Sequence, residues 1–329
     1  MANSCMVIMS NKSELRLAVI GAGGWGKNHV RVLADQGVLS AVCDTNEERC
    51  REVAARFNTR YYTCLDEMLC DELKLNGCVV CTPTKTHFGI AKKIIEKGVN
   101  VFVEKPMSFS SVECEEMISL SKKKKVLLTS GYIERFNPIV QDVKRIIRSK
   151  TYGDLLMMEF HRENRMPLHI KDVGIIYDTS VHDIDTAMFL FDTRPQVVFA
   201  RAGAKFHSYE DFATIMLGFD DQKVAIIASN WITPKKVRTF NAVCTEGIIS
   251  GDFITQEIRI DEATRTVTPR RERQLVEPLT LELKSFIDAI QGKNDESMVL
   301  ASEATNVTKV AEAAILSSKT GSPIYLELK

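Results

Sequence analysis

Two rhythms of apolar residues divide this chain. Up to about residue 130, short runs rich in Val, Ile and Leu (15–20, 39–43, 77–81, 99–103 and 126–129) alternate with amphipathic stretches around 25–36, 46–57, 84–97 and 109–123. Unbroken apolar runs of this length suit strands buried on both faces, and the stretches between them repeat with a helical period. Such alternation predicts an α/β unit, a doubly wound parallel sheet with helices on both sides. A helix is expected through Lys150, and then the character changes. One long helical stretch, about 175–191, precedes period-two strands at 196–206, 212–219, 223–231, 237–244 and 247–260. Asp220-Asp221, Thr233-Pro234 and Glu246-Gly247 mark turns of the kind that join antiparallel strands. Helical patterns over 279–291 and 298–317 close the chain. The expected organisation is a loose tail at 1–14, an α/β domain at 15–134, and an α+β domain at 135–329 built on a large, open, mostly antiparallel sheet.

At 329 residues the chain is long enough for two cores. Its 43 basic residues are balanced by 43 acidic ones, and a nucleic-acid partner, which would call for a basic excess, is not expected. The local basic runs 122–125 and 270–273 read as solvated surface. No apolar stretch nears the ~20 residues that span a bilayer, so no membrane partner is expected either. The opening residues lack the positive start and apolar length of a secretory leader. Nine scattered cysteines suit reduced thiols, and the expectation is a cytoplasmic location. Cys78 and Cys81 have CxxC spacing, but in the strand-like Cys-Val-Val-Cys run such positions face opposite sides. A redox or metal pair is not expected there.

The first apolar run leads directly into Gly21-Ala-Gly23-Gly24-Trp25-Gly26 and then a helical pattern. A lone GxGxxG is a weak signal, but here strand, loop and helix follow in the required order. Gly21 permits the tight turn, Gly23 lets backbone approach a pyrophosphate, and Gly26 lets helix pack on strand. The helix N-terminus adds free N–H groups and partial positive charge. Asp44 ends the next strand, where its carboxylate can accept from a ribose hydroxyl and repel a 2′-phosphate. Thr45 and Asn46 supply no cation for such a phosphate, so NAD is expected rather than NADP. The loop glycines 21, 23, 24 and 26, with Trp25, Asp44 and Thr45, are the expected cofactor contacts.

The next two strands end in Cys81-Thr82-Pro83-Thr84, leading to His87, and in Glu104-Lys105-Pro106. Ligands of open α/β sheets bind at this carboxyl edge, and each proline holds the residue before it extended. Lys105 could there stabilise an alkoxide as it forms. The order GAGGWG, Asp44, TPTKTH and EKP resembles the Gfo/Idh/MocA oxidoreductases over nearly the whole chain. The resemblance implies a Rossmann domain joined to an open-sheet substrate domain. It also implies a catalytic lysine at Lys105, a downstream Asp-x3-His pair at Asp178 and His182, and a nicotinamide side lined by Thr82, Pro83, His87 and Glu104.

Asp178 and His182 are four apart within the expected helix and so share a face, with Asp185 roughly on the same side. His182 is the favoured general base, Lys105 its electrostatic partner and Asp178 the group that orients the imidazole. Which of Lys105 and His182 takes the proton is left open. The remaining histidines are dispersed, and no metal is expected. The run from His161 to Gly174 carries Arg162, Arg165, His169 and Lys171, which suit an anionic ligand group.

Glu134-Arg135-Phe136-Asn137-Pro138 and the stretches 170–174 and 181–185 look like the family's branch that oxidises C3 of UDP-N-acetylglucosamine to a 3-keto nucleotide sugar. Arg135 and Asn137, with Arg165, Lys171, Asp178 and His182, are then the expected substrate contacts. A UDP-uronic acid, a free sugar or a cyclitol is the rival substrate, and a non-catalytic NAD-binding regulator the rival class. Homodimers or homotetramers are expected from the resemblance.

Overall fold

The computed structural model describes residues 15–166, 172–269 and 275–327. The tail at 1–14, the basic run at 270–273, His169 and Lys171 lie outside the described residues. In chain order the first part runs β1 (Leu17–Ile20), α1 (Gly26–Asp35), β2 (Leu39–Cys43), α2 (Glu47–Phe57), β3 (Arg60–Tyr62), α3 (Leu65–Cys70), β4 (Gly77–Val80), α4 (His87–Glu96), β5 (Asn100–Glu104), α5 (Ser111–Lys124) and β6 (Leu128–Gly131). The strands form a parallel six-stranded sheet in the order β3-β2-β1-β4-β5-β6. All four residues of β1 and of β4 are buried, as a sheet covered on both faces demands. The five apolar runs read from the sequence are strands here. The short β3 and α3 were not anticipated, because three residues with two exposed side chains carry no period.

The second part runs α6 (Pro138–Ser149), β7 (Leu155–Glu163), α7 (Val181–Phe191), β8 (Val197–Gly203), β9 (Phe212–Gly218), β10 (Val224–Asn230), β11 (Val237–Cys244), β12 (Gly247–Asp252), β13 (Glu257–Asp261), β14 (Thr266–Val267), α8 (Pro278–Ile290), α9 (Ala301–Thr320) and β15 (Ile324–Tyr325). Its nine strands form one sheet in the order β14-β13-β12-β11-β7-β10-β9-β8-β15. The sheet is mixed rather than wholly antiparallel, because β7 pairs parallel with β10 and antiparallel with β11. Its alternation is plain in β9, where Ala213, Ile215 and Leu217 are buried and Phe212, Thr214 and Met216 exposed. Val181, Ile184 and Ala187 of α7 and Ala304, Val307 and Ala311 of α9 belong to the core that includes the sheet's buried face.

Three expectations need correction. β7, central to the second sheet, was not foreseen, because its charged Glu159, His161, Arg162 and Glu163 break the apolar alternation that marks a strand. The segment expected as one strand at 247–260 is two, since the Asp252 side chain accepts from the backbone N–H of Ile254 and Thr255 and turns the chain. The helix expected over 175–191 is α-helical only from Val181, and Ile176–Ser180 forms a wider π turn. α8, though late in the chain, packs Leu279, Leu283 and Phe286 with Val19, Val79 and Phe102 of the first sheet. This ties the two parts together behind their shared cleft.

Candidate active site

A cleft of about 1280 Å³ opens at the carboxyl ends of β1, β2, β4 and β5 and is closed on its far side by the second part of the chain. Gly21, Gly23, Gly24, Trp25, Asp44, Thr45, Thr82, Pro83, His87, Glu104, Lys105, Asp178 and His182 all line it. Gly26 does not, and its role is packing.

The three motif glycines answer to different constraints. Gly21 has φ +91°, and a Cβ there would lie 2.7 Å from the Cys81 carbonyl oxygen. A Cβ on Gly26 would lie 1.7 Å from the Gly21 carbonyl oxygen. A Cβ on Gly23 meets nothing closer than the Arg49 guanidinium at 3.6 Å and would instead fill the cradle between loop and cleft. The protein therefore tolerates a side chain at Gly23, whereas a pyrophosphate lying on the loop would not. This donor set fits a dinucleotide.

Asp44 is held rigidly. It accepts from the backbone N–H of Ala22 at 2.8 Å and of Asn46 at 2.9 Å, and Arg49 stands 3.4 Å away. Arg49 was missed by looking only at the two residues after Asp44, because the first turns of α2 carry it back to the strand end. At the end of β4, the buried His87 bridges two backbone oxygens, Thr82 at 2.8 Å and Pro106 at 2.9 Å. Burial pushes its pKa down against the pull of those carbonyls. It lines the cleft but serves as a clasp between two strand ends.

Glu104 is a hub. His29 Nε2 lies 2.7 Å from one of its oxygens, and Trp25 Nε1 donates to that oxygen at 2.9 Å. Burial alone would raise this carboxyl, but His29, Lys105 and Trp25 outweigh it and hold it below the usual carboxylate range. Beside it, Lys105 Nζ donates to Asp178 Oδ1 at 2.9 Å and to the Asp178 backbone oxygen. The π turn at 176–180 presents both oxygens to the same ammonium. Asp178 thus orients Lys105, and its other oxygen accepts from Thr179 rather than from His182. The His182 ring packs edge-on to Tyr132 at 6.3 Å, and its buried Nδ1 has no partner among the described residues. Burial first, then the charges of Lys105, Arg162 and Arg238, push His182 well below its ordinary pKa. At neutral pH the imidazole is uncharged and can accept a proton.

Several expected substrate contacts lie elsewhere. Arg135 is 2% exposed and donates to both oxygens of Asp185 at 2.7 and 2.8 Å and to Glu303 at 2.9 Å. Asn137 caps α6 and donates to the Phe253 carbonyl at 2.9 Å. Both are structural, and neither lines the cleft. Arg165 is exposed and off the cleft wall. In their place the second part contributes Arg162, Asn164, Lys236 and Arg238, with Glu134 from the segment after β6. The only local signal for the last cations was the alternation of Lys236 and Arg238 at the start of β11. Among the described residues no group of three or more His, Cys, Asp or Glu is arranged to hold a metal.

Residues 15–132 match the family profile described as oxidoreductase family, NAD-binding Rossmann fold, and residues 140–250 match the GFO/IDH/MocA C-terminal domain. The UDP-N-acetylglucosamine 3-dehydrogenase of Acidithiobacillus ferrooxidans is 27% identical over 247 residues, 75% of this chain and 77% of that protein. The scyllo-inositol 2-dehydrogenase (NAD(+)) of Bacillus subtilis is 26% identical over 96% of this chain and 97% of its own. The solved A. ferrooxidans enzyme shares the fold with a TM-score of 0.85 at 24% identity, covering 93% of this chain and 98% of that one.

Proposed function

From the premise that this chain belongs to the GFO/IDH/MocA oxidoreductase family and binds NAD, we propose that it oxidises a sugar secondary alcohol to a ketone, with C3 of UDP-N-acetylglucosamine as the substrate position. In this reading residues 15–134 hold the dinucleotide, residues 135–329 hold the substrate, and the enzyme works in a reducing cytoplasm. The observation that carries the reading is the convergence of Lys105, Asp178 and His182, from the two parts of the chain, on one cleft wall. NAD, when bound, supplies the hydride acceptor. Gly21, Gly23 and the N-terminus of α1 would cradle its pyrophosphate and Asp44 its ribose.

His182, neutral because of burial and three nearby cations, takes the proton from the substrate hydroxyl. Lys105, fixed by Asp178, keeps its ammonium beside the oxygen as negative charge grows there. Inositol dehydrogenases stand about as near in sequence, and a cyclitol is the second reading. Substrate deuterated at C3 tests the choice. Transfer of label to NADH with a primary isotope effect supports oxidation at that carbon, and an unlabelled NADH rejects it.

The depressed His182 pKa sets a pH dependence. Activity is lost only when the imidazole becomes protonated, so kcat/KM for oxidation stays on its plateau as pH falls past the usual histidine range near 6.5. A profile that halves near pH 6.5 would remove His182 as the base.

Cofactor choice rests on Asp44. In Asp44→Ser the carboxylate is gone and Arg49 is freed toward the ribose. NAD affinity should fall by about 10- to 100-fold while NADP affinity rises, as read by titration calorimetry.

A further inference from the structure

We propose that Lys236 and Arg238 form the anion-recognition site of this cleft and receive the diphosphate that links the substrate's sugar to its nucleoside. This rests on the nucleotide-sugar reading above and names the residues that distinguish such a substrate from an uncharged cyclitol.

The argument begins with sheet register. Arg238 of β11 stands directly opposite Arg162 of β7, with both side chains on the face that includes Phe160 and Phe240. Like charges directly opposed across two strands destabilise a sheet unless an acid neutralises them. Arg162 is neutralised fully. It donates to Asp183 at 2.7 Å and to Glu134 at 2.8 Å and is 2% exposed. Arg238 is not. Its one acid within ion-pair reach among the described residues is that same Glu134 oxygen, at 3.5 Å, and its buried Nε has no partner.

Lys236, two residues earlier, lies on the same cleft wall and feels Arg238 as its largest electrostatic influence. Neither of the other two acids beside this part of the wall neutralises these cations. Asp178 is held by Lys105, and Asp172, one of whose buried carboxylate oxygens has no hydrogen-bond partner, forms no ion pair with Lys236 or Arg238 among the described residues. Three cations, Arg162, Arg238 and Lys236, therefore share Glu134 and Asp183. A bound anion would supply the missing negative charge, and the paired oxygens of a diphosphate match a guanidinium fork next to an ammonium. An inositol offers only hydroxyls and would leave the opposed arginines uncompensated.

The test uses the NAD-saturated protein, so that the glycine loop is filled, with UDP and inorganic pyrophosphate as binding probes measured by calorimetry. Lys236 is exposed, so Lys236→Met is safe for folding, and Arg238→Met is its half-buried companion. Both variants should weaken UDP and pyrophosphate binding by about 10- to 100-fold, flatten its salt dependence and raise KM far more than they lower kcat. Arg238→Lys should recover part of the affinity. Unchanged UDP affinity in both Met variants would overturn the proposal even if UDP-N-acetylglucosamine is oxidised. If the wild type binds pyrophosphate through these residues but leaves UDP-N-acetylglucosamine untouched, the anion site stands and the substrate reading fails. Binding of a uronate alone, with no affinity for UDP or pyrophosphate, also overturns the diphosphate assignment.

Discussion

Replacing Lys105 with methionine should lower kcat and kcat/KM together by about 100- to 1000-fold, the loss typical of removing one fixed donor from a developing oxyanion. The other two cations that act on His182 are engaged elsewhere. Arg162 is spent on Asp183 and Glu134, and Arg238, on the neighbouring strand of the same sheet, faces Glu134. The substitution also strips Asp178 of its cation, so the variant carries an unpaired carboxylate beside the reacting oxygen. That charge opposes alkoxide formation and adds to the loss. Lys105→Met combined with Asp178→Asn separates the two effects. If the missing ammonium is the cause, the double variant recovers little. If repulsion by Asp178 is the cause, it recovers most of the rate. Circular dichroism spectra should match the wild type in both cases.

The second large effect is on stability. Arg135→Met should cost about 3–5 kcal/mol and lower the melting temperature by roughly 5–15 °C, because it leaves Asp185 buried without its bidentate partner. Burial already raises Asp185 to about 6 against the pull of Arg135, and without that guanidinium its pKa rises further. A carboxyl whose folded pKa lies above its unfolded value binds more protons in the native state, so stability falls as pH rises. The penalty of Arg135→Met should therefore be larger at pH 8 than at pH 6, as thermal melts at the two values would show. Substrate KM, measured well below the melting temperature, should barely move. A large KM increase with an unchanged melting temperature would return Arg135 to the substrate.

Arg135 also marks where sequence reasoning reached its limit. The glycine loop, Asp44 and the Glu104-Lys105 turn were legible because each is a local device at a strand end, and the strand before it announces its position. Asp178 and His182 were singled out through the family resemblance and their four-residue spacing, although the π turn gave Asp178 to Lys105 instead of to the imidazole. Charged residues placed by distant packing left no such trace. Arg135 and Arg162 read as contacts for a ligand, yet both are buried in ion pairs whose acids lie 21 to 168 residues away. β7 was hidden for the same reason, since an inward arginine breaks the apolar alternation that marks a strand. Lys236 and Arg238 became visible only when the sheet set them against Arg162 and the cleft.

The most direct measurement is incubation of the protein with NAD⁺ and, separately, UDP-N-acetylglucosamine, a UDP-uronic acid, free N-acetylglucosamine and myo-inositol. NADH absorbance and product mass are then followed together. The account predicts NADH formation with UDP-N-acetylglucosamine and a product lighter by two hydrogens, at a rate well above that with inositol. Turnover of inositol alongside an inert UDP-N-acetylglucosamine would contradict it.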